Sequence, residues 1–173
     1  MNAAPEKENR STVVVIYDDP ITRARALTAC DYLVGELWEN VELDFHWWRT
    51  DFLDDANMSR AAAKYAIDAD FLIICSSGAE HRSRTLEAWL ESWIQQRDKN
   101  EGALIDLSLL PDSTHRLQSV LREIAERGKF DYLASSESSR SNRSTGKLAS
   151  VLPASTERLI DRSHRPSRFG LNE

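Results

Sequence analysis

The chain has 173 residues, 41% of them hydrophobic and 29% charged, with a formal net charge of −6. That length suits one domain with a sizeable core and an appendage. Residues 1–10 are polar and contain no apolar signal-peptide region. No apolar run approaches the roughly 20 residues that span a bilayer. These features argue against a secretory signal or a membrane span, and we expect a cytoplasmic protein.

The acidic excess is not spread evenly. Residues 135–173 contain seven Lys and Arg against four Asp and Glu, so the preceding residues carry all of the negative balance. An acidic domain is poorly suited to binding nucleic acid across a broad face. The mildly basic residues 135–173 have the sign to attract the acidic domain or an acidic partner.

The first two elements follow from residues 12–38. Residues 12–17 (TVVVIY) are β-branched and apolar and predict a buried strand. Asp19 is a suitable N-cap, and Pro20 a suitable first helical residue, while Asp18 is expected to be a solvated loop residue. The helix should extend to about residue 38 with an apolar stripe at helical spacing. The stripe comprises Ala24, Leu27, Ala29 or Cys30, Leu33 or Val34, and Leu37.

Residues 41–75 predict an edge strand, a helix and a central strand. Residues 41–48 (VELDFHWW) alternate between apolar and polar, which suits an edge strand. Residues 54–69 are rich in alanine and predict a helix. Residues 70–75 (DFLIIC) are apolar on both faces, which is typical of an interior strand in a parallel sheet. The polar loop that follows contains Ser76, Ser77 and Gly78.

Residues 81–134 complete the pattern of alternating elements. A helix over 81–97 should bury Trp89 and Trp93, and residues 102–110 predict a fourth strand. The next helix, over 114–127, should end at Gly128. Residues 130–134 predict a short fifth strand.

The predicted organisation is a disordered N-terminus (1–10), one domain (11–134) and a disordered Ser/Arg-rich tail (135–173). Alternating strands and helices with right-handed crossovers predict an α/β, doubly wound three-layer sandwich. The first and third strands are the most apolar, and the pattern of strand two is typical of an edge. We therefore expect a five-stranded parallel sheet in the flavodoxin-like order 2-1-3-4-5.

In that order a ligand site would lie beyond the carboxyl ends of the first and third strands. The third loop opens a helix whose first-turn amides and nearby arginine could bind an anion; the alternative is a plain polar turn. The candidate ligand residues at this edge are Asp18, Asp19, Ser76, Ser77, Gly78, His81 and Arg82. Negative charge on the first loop disfavours a flavin phosphate. Asp18 and Asp19 are also a weak Mg²⁺ candidate, and no other cofactor is predicted.

The acidic pair after an apolar first strand resembles that of response-regulator receiver domains. In that family, the pair holds Mg²⁺ beside a phosphorylatable aspartate at the end of the third strand, and a lysine follows the fifth. This chain has CSS at 75–77 and ASS at 134–136 instead. The resemblance therefore implies the fold without phosphotransfer. The overall pattern is also similar to small uncharacterised bacterial proteins of receiver-like fold.

Two further groups bear on function. Cys30 and Cys75 lack metal-ligand spacing and are expected to be buried reduced thiols. Trp48 and Arg49, at the end of the edge strand, are residue types common at interfaces and mark a candidate surface for a protein partner or a homodimer. Our first hypothesis is a non-catalytic signalling or protein-interaction domain. The alternative is a protein or enzyme that binds a phosphate- or nucleotide-containing ligand in the crevice.

Overall fold

A computed structural model describes residues 10–37, 39, 41–108 and 115–135. The predictions for residues 1–9 and 136–173 lie outside these ranges. The helices and strands follow one another in strict alternation. They are β1 (Arg10–Tyr17), α1 (Pro20–Leu37), β2 (Glu42–Arg49), α2 (Ala56–Ile67), β3 (Phe71–Cys75), α3 (Glu80–Trp93), β4 (Ala103–Asp106), α4 (His115–Gly128) and β5 (Asp131–Ala134).

The five strands form one parallel sheet in the order β2-β1-β3-β4-β5. This confirms the predicted fold class and strand order. The strands that are apolar on both faces lie inside, because helices cover both faces of a doubly wound sheet. All five residues of β3 are buried, whereas β2 at the edge is only half-buried after its exposed first residue.

The two faces of the sheet are covered unequally by the described helices. Helices α2, α3 and α4 pack on one another on one face, in a core with Val14, Ile16, Leu72 and Ile74. Alternate residues of a strand point to opposite faces, so the buried Val13 and Val15 face the other way. On that face, α1 packs against β1 and β3.

The buried side of α1 matches the predicted stripe only in part. Its buried residues are Thr22, Ala26, Cys30, Leu33 and Leu37. Of the predicted stripe, Cys30, Leu33 and Leu37 are buried, whereas Ala24 and Leu27 are exposed, as is Val34, the alternative to Leu33. Apolar side chains lie on both sides of this helix, so hydrophobic spacing alone could not select the inner face.

Smaller differences concern element ends. The predicted helix over 54–69 is a 3₁₀ turn (Thr50–Asp54) followed by α2, because Asp55 caps α2 by accepting from the amides of Asn57 and Met58. Helix α4 ends at Gly128 as predicted. The left-handed position, however, belongs to Lys129 (φ 54°).

Gly128 is needed for space rather than for backbone conformation. A Cβ at this position would lie 2.5 Å from Ile94 Cδ1 and 2.9 Å from the ring of Phe130. Both distances are closer than ordinary van der Waals contact, so a side chain would displace these residues. In the described residues, no helix is long and apolar enough to cross a membrane.

Candidate functional site

The predicted crevice lies where β1 and β3 end side by side, and a buried carboxylate occupies its base. Asp18 is 1% exposed. Its Oδ1 accepts a hydrogen bond from Thr50 Oγ1 (2.6 Å). Its Oδ2 accepts from Ser76 Oγ (2.9 Å), Ser77 N (2.7 Å) and Ser77 Oγ (2.9 Å). The expectation that Asp18 is a solvated loop residue was wrong, because donors that follow β2 and β3 enclose it.

Asp19 begins helix α1, as the sequence predicted. Its Oδ1 accepts from the amides of Ile21 (3.0 Å) and Thr22 (2.8 Å), and Thr22 Oγ1 in turn accepts from the amide of Asp19 (2.9 Å). This reciprocal arrangement is a capping box with threonine at the third helical position. The Thr22 amide is the main cause that lowers the pKa of Asp19, against an opposing effect of burial.

The hydrogen bonds at the base of the crevice continue across the whole sheet. Ser76 N donates to Ser108 Oγ (3.1 Å), and Ser108 N donates to Asp106 Oδ1 (3.0 Å). Tyr132 Oη donates to Asp106 Oδ2 (2.8 Å). From Thr50 after β2 to Tyr132 within β5, these polar groups connect all five strands, four of them at their carboxyl ends. We call this set the edge chain.

The edge chain is buried on the side of β4 and β5 as well. Asp106 is buried, and Tyr132 is packed against the main core. Burial, followed by the neighbouring carboxylate, raises the pKa of Tyr132, so its hydroxyl stays protonated and available as a donor. No sequence pattern pointed to Thr50, Asp106 or Tyr132, because each is an ordinary residue within or next to a strand.

Above the edge chain, Arg82 from the first turn of α3 lies across the mouth of the crevice. Its Nε donates to Asp51 Oδ1 (3.1 Å), and its Nη1 lies 4.0 Å from Asp19 Oδ2. The hydrogen bond to Asp51 raises the pKa of Arg82, and the charges of Asp18 and Asp19 add to that effect. Burial raises the pKa of Asp51, but Arg82 and Arg49 outweigh it and lower that pKa overall.

The remaining candidate residues occupy different environments. Gly78 N donates to Ser76 Oγ (3.2 Å), so Gly78 belongs to the crevice loop. The side chain of His81 is 80% exposed, and its Nε2 lies 3.5 Å from Asp54 Oδ2. Trp48 packs against the main core. Arg49 pairs with Asp51, with 2.6 Å between Nη2 and Oδ2, so it borders the crevice.

The sequence offers Asp18 and Asp19 as a weak candidate site for Mg²⁺. Within the described residues, no group of three or more His, Cys, Asp or Glu is close enough to hold a metal ion. Asp18 already accepts four hydrogen bonds, and Arg82 lies beside Asp19 and Asp51. The charge that a cation would supply at this mouth is supplied by a guanidinium.

Both cysteines are buried free thiols. Burial raises the pKa of Cys30 and of Cys75 to about 12, and Cys75 Sγ donates to Leu107 O (3.4 Å). A thiolate is the reactive form, so neither residue is suited to nucleophilic or redox chemistry at neutral pH.

We expect both thiols to resist a thiol-specific aromatic disulfide reagent in the native protein and to react fully in denaturant. The reaction is followed by absorbance, with the unfolded chain as the control for accessibility. Rapid labelling of either cysteine under native conditions would contradict the protonated, buried state.

No protein-family model matches the chain, and no curated protein does. Among solved structures, the chain is similar to the apo form of an NADH:FMN oxidoreductase. The two are 13% identical, with a TM-score of 0.48 over 87% of this chain and 85% of the other. This similarity extends no further than the general α/β architecture.

Proposed function

We propose that the chain is a receiver-like protein-interaction domain whose carboxyl-edge crevice has a structural role instead of a phosphotransfer role. The observation that carries the proposal is the edge chain. It engages both oxygens of Asp18 with donors of the same domain. A cation that binds Oδ2 would displace the buried hydrogen bonds from Ser76 and Ser77.

Arg82 supports the same proposal. Its guanidinium bridges Asp51 and approaches Asp19. An arginine remains charged at all physiological pH values, so it permanently compensates part of the negative charge at this mouth. A domain built in this way keeps a single conformation at the carboxyl ends of its strands, where receiver domains switch. We infer that it functions through contacts of its surface with a partner.

A second candidate function rests on the start of α3. Its N-cap residue, Ala79, makes no side-chain capping hydrogen bond. The amides of the first turn are thus open to an external acceptor, and Arg82 lies in the same turn. A small phosphate-bearing ligand would satisfy these amides, as the alternative hypothesis from the sequence requires.

One experiment separates the two candidates. Thermal unfolding is measured for the parent, Arg82→Gln and Arg84→Gln, each with Mg²⁺, acetyl phosphate or inorganic phosphate. Arg84 is the matched control, because it belongs to the same turn of α3 but pairs with the exposed Glu80 instead of the crevice. Binding to the native state raises the transition temperature as ligand concentration increases.

If the crevice has a structural role, we expect none of the three ligands to raise the transition temperature of the parent. Arg82→Gln should gain stabilisation by Mg²⁺, since Asp19 and Asp51 then lose the guanidinium between them and only Arg49 still pairs with Asp51. Arg84→Gln should not. If phosphate or acetyl phosphate stabilises the parent and Arg82→Gln abolishes that response, the second candidate is correct. Stabilisation of the parent by Mg²⁺ would contradict the main proposal.

A further inference from the structure

Helix α1 carries an apolar face on the side away from the sheet. Ile21, Leu27 and Val34 are 71%, 43% and 41% exposed. Ala24, between the first two, is exposed as well. Single exposed apolar residues are normal, whereas several on the outward side of one helix are typical of a surface that a partner covers. We call these four residues the outer face of α1.

A glycine within the same helix has no explanation inside the described domain. Gly35 is exposed, and a Cβ built on it meets nothing within 4 Å. Glycine is less favourable than alanine in a helix interior, because it loses more conformational freedom on folding. Its use is to allow another backbone to come close, and the outer face supplies the apolar surroundings for such an approach.

The charges beside the outer face are arranged for pairing with a copy of itself. Arg23 lies four residues before Leu27, and Asp31 lies four residues after it. Both are exposed. Two copies of α1 that cross in opposite directions at Leu27 therefore bring each Arg23 within reach of Asp31 on the other copy.

We propose that the outer face of α1 is the interface of a homodimer, in which two α1 helices pack antiparallel across Leu27. The partner is a second copy of this chain, because the opposite charges of Arg23 and Asp31 are placed symmetrically about the exposed Leu27. Opposed helix dipoles add to the attraction. This inference goes beyond the proposed function and does not depend on it.

The first test is the oligomeric state of the full chain and of Leu27→Glu, by sedimentation equilibrium over a wide concentration range. We expect the parent to dimerise and Leu27→Glu to raise the dimer dissociation constant by about tenfold or more, since the substitution brings two like charges together at the crossing point. Met58→Glu is the matched control. Met58 is 47% exposed on α2, and its substitution should leave the dissociation constant unchanged.

The second test is a charge exchange. Arg23→Glu and Asp31→Arg should each weaken the dimer, and the double variant should restore it, because the pair is then reversed across the interface. Arg23 also lies over the ring of Trp47, at 5.6 Å, within its own chain. Loss of that contact would weaken a variant without being rescued by Asp31→Arg, so the rescue is specific for the interface.

Gly35→Ala provides an independent readout. If α1 contacts no second copy, the substitution should raise the thermal unfolding midpoint of the protein by about 2 °C, since alanine is the better helix former. At a close helix contact, it should raise the dissociation constant. The proposal is overturned if the parent is monomeric throughout, if Leu27→Glu and Met58→Glu behave alike, or if the charge exchange fails to restore association.

Discussion

Replacing Arg97 with methionine is expected to lower the free energy of unfolding by about 3 kcal/mol or more. Arg97 is buried near the amino ends of the strands, at the opposite end of the sheet from the crevice. Its guanidinium donates hydrogen bonds to four backbone carbonyls. The acceptors are Gly128 O (2.9 Å), Ile67 O (2.7 Å), Glu101 O (2.8 Å) and Ala66 O (3.5 Å).

These carbonyls explain why the effect should be large. Ile67 and Gly128 are the last residues of α2 and α4, and the final carbonyls of a helix have no partner within it. One arginine thus satisfies two helix ends and opposes the negative ends of their dipoles. Methionine fills a similar volume but leaves the buried carbonyls unpaired, at about 1–3 kcal/mol for each group that water does not reach.

The stacking of Arg97 on Phe130 adds to this effect, with 3.8 Å between the guanidinium carbon and the ring centroid. Burial lowers the pKa of Arg97 to about 10, which still leaves it charged at neutral pH. Lysine at this position would keep the charge but lose the planar fork, and should recover only part of the loss.

The measurement is urea unfolding, compared at equal m-values. Arg127→Met is the control, because Arg127 is a surface arginine that pairs with both carboxylate oxygens of Glu91 (2.7 and 2.8 Å). A surface pair of this kind contributes little to stability, because solvent screens it. A loss for Arg97→Met no larger than that for Arg127→Met would show that the four carbonyls are satisfied by other means.

The order of the strands was predictable from the sequence. The contacts at the carboxyl ends and at the amino ends of the strands were not. Strand composition selects position in the sheet, because β3 is apolar on both faces and β2 alternates. The cap of Asp19 was predictable too, since its partners are two and three residues away. Such short-range hydrogen bonds are the ones that sequence patterns encode.

The role of Asp18 could not be read in the same way. Its donors follow two other strands, 32, 58 and 59 positions away along the chain. Arg97 likewise fitted the polar end of a helix, while its acceptors are backbone groups that carry no residue identity. The inner face of α1 was predicted only in part for a third reason, since Leu27 and Val34 make the helix apolar on both sides.

Replacing Asp18 with alanine should lower the free energy of unfolding by about 3–4 kcal/mol. The substitution removes an acceptor from Thr50, Ser76 and Ser77, all of which reach Asp18 from elements that follow other strands. Hydrogen bonds to a charged group contribute about 1.5–3 kcal/mol each, and water entering the cavity would recover part of their sum. The effect belongs to stability, because the edge chain holds the strand ends together.

The variants Asp18→Asn and Asp19→Ala make the argument specific. An asparagine oxygen in place of Oδ2 keeps the three bonds from Ser76 and Ser77, and its amide can donate to the Thr50 hydroxyl, so we expect a loss of about 1–2 kcal/mol. Asp19→Ala removes only a helix cap, at about 1 kcal/mol. In urea unfolding, the loss of unfolding free energy should therefore be about threefold larger for Asp18→Ala than for Asp19→Ala. If Asp18→Ala costs no more than Asp19→Ala, the edge chain does not hold the carboxyl ends of the strands together, and the crevice would again be open to a ligand-binding role.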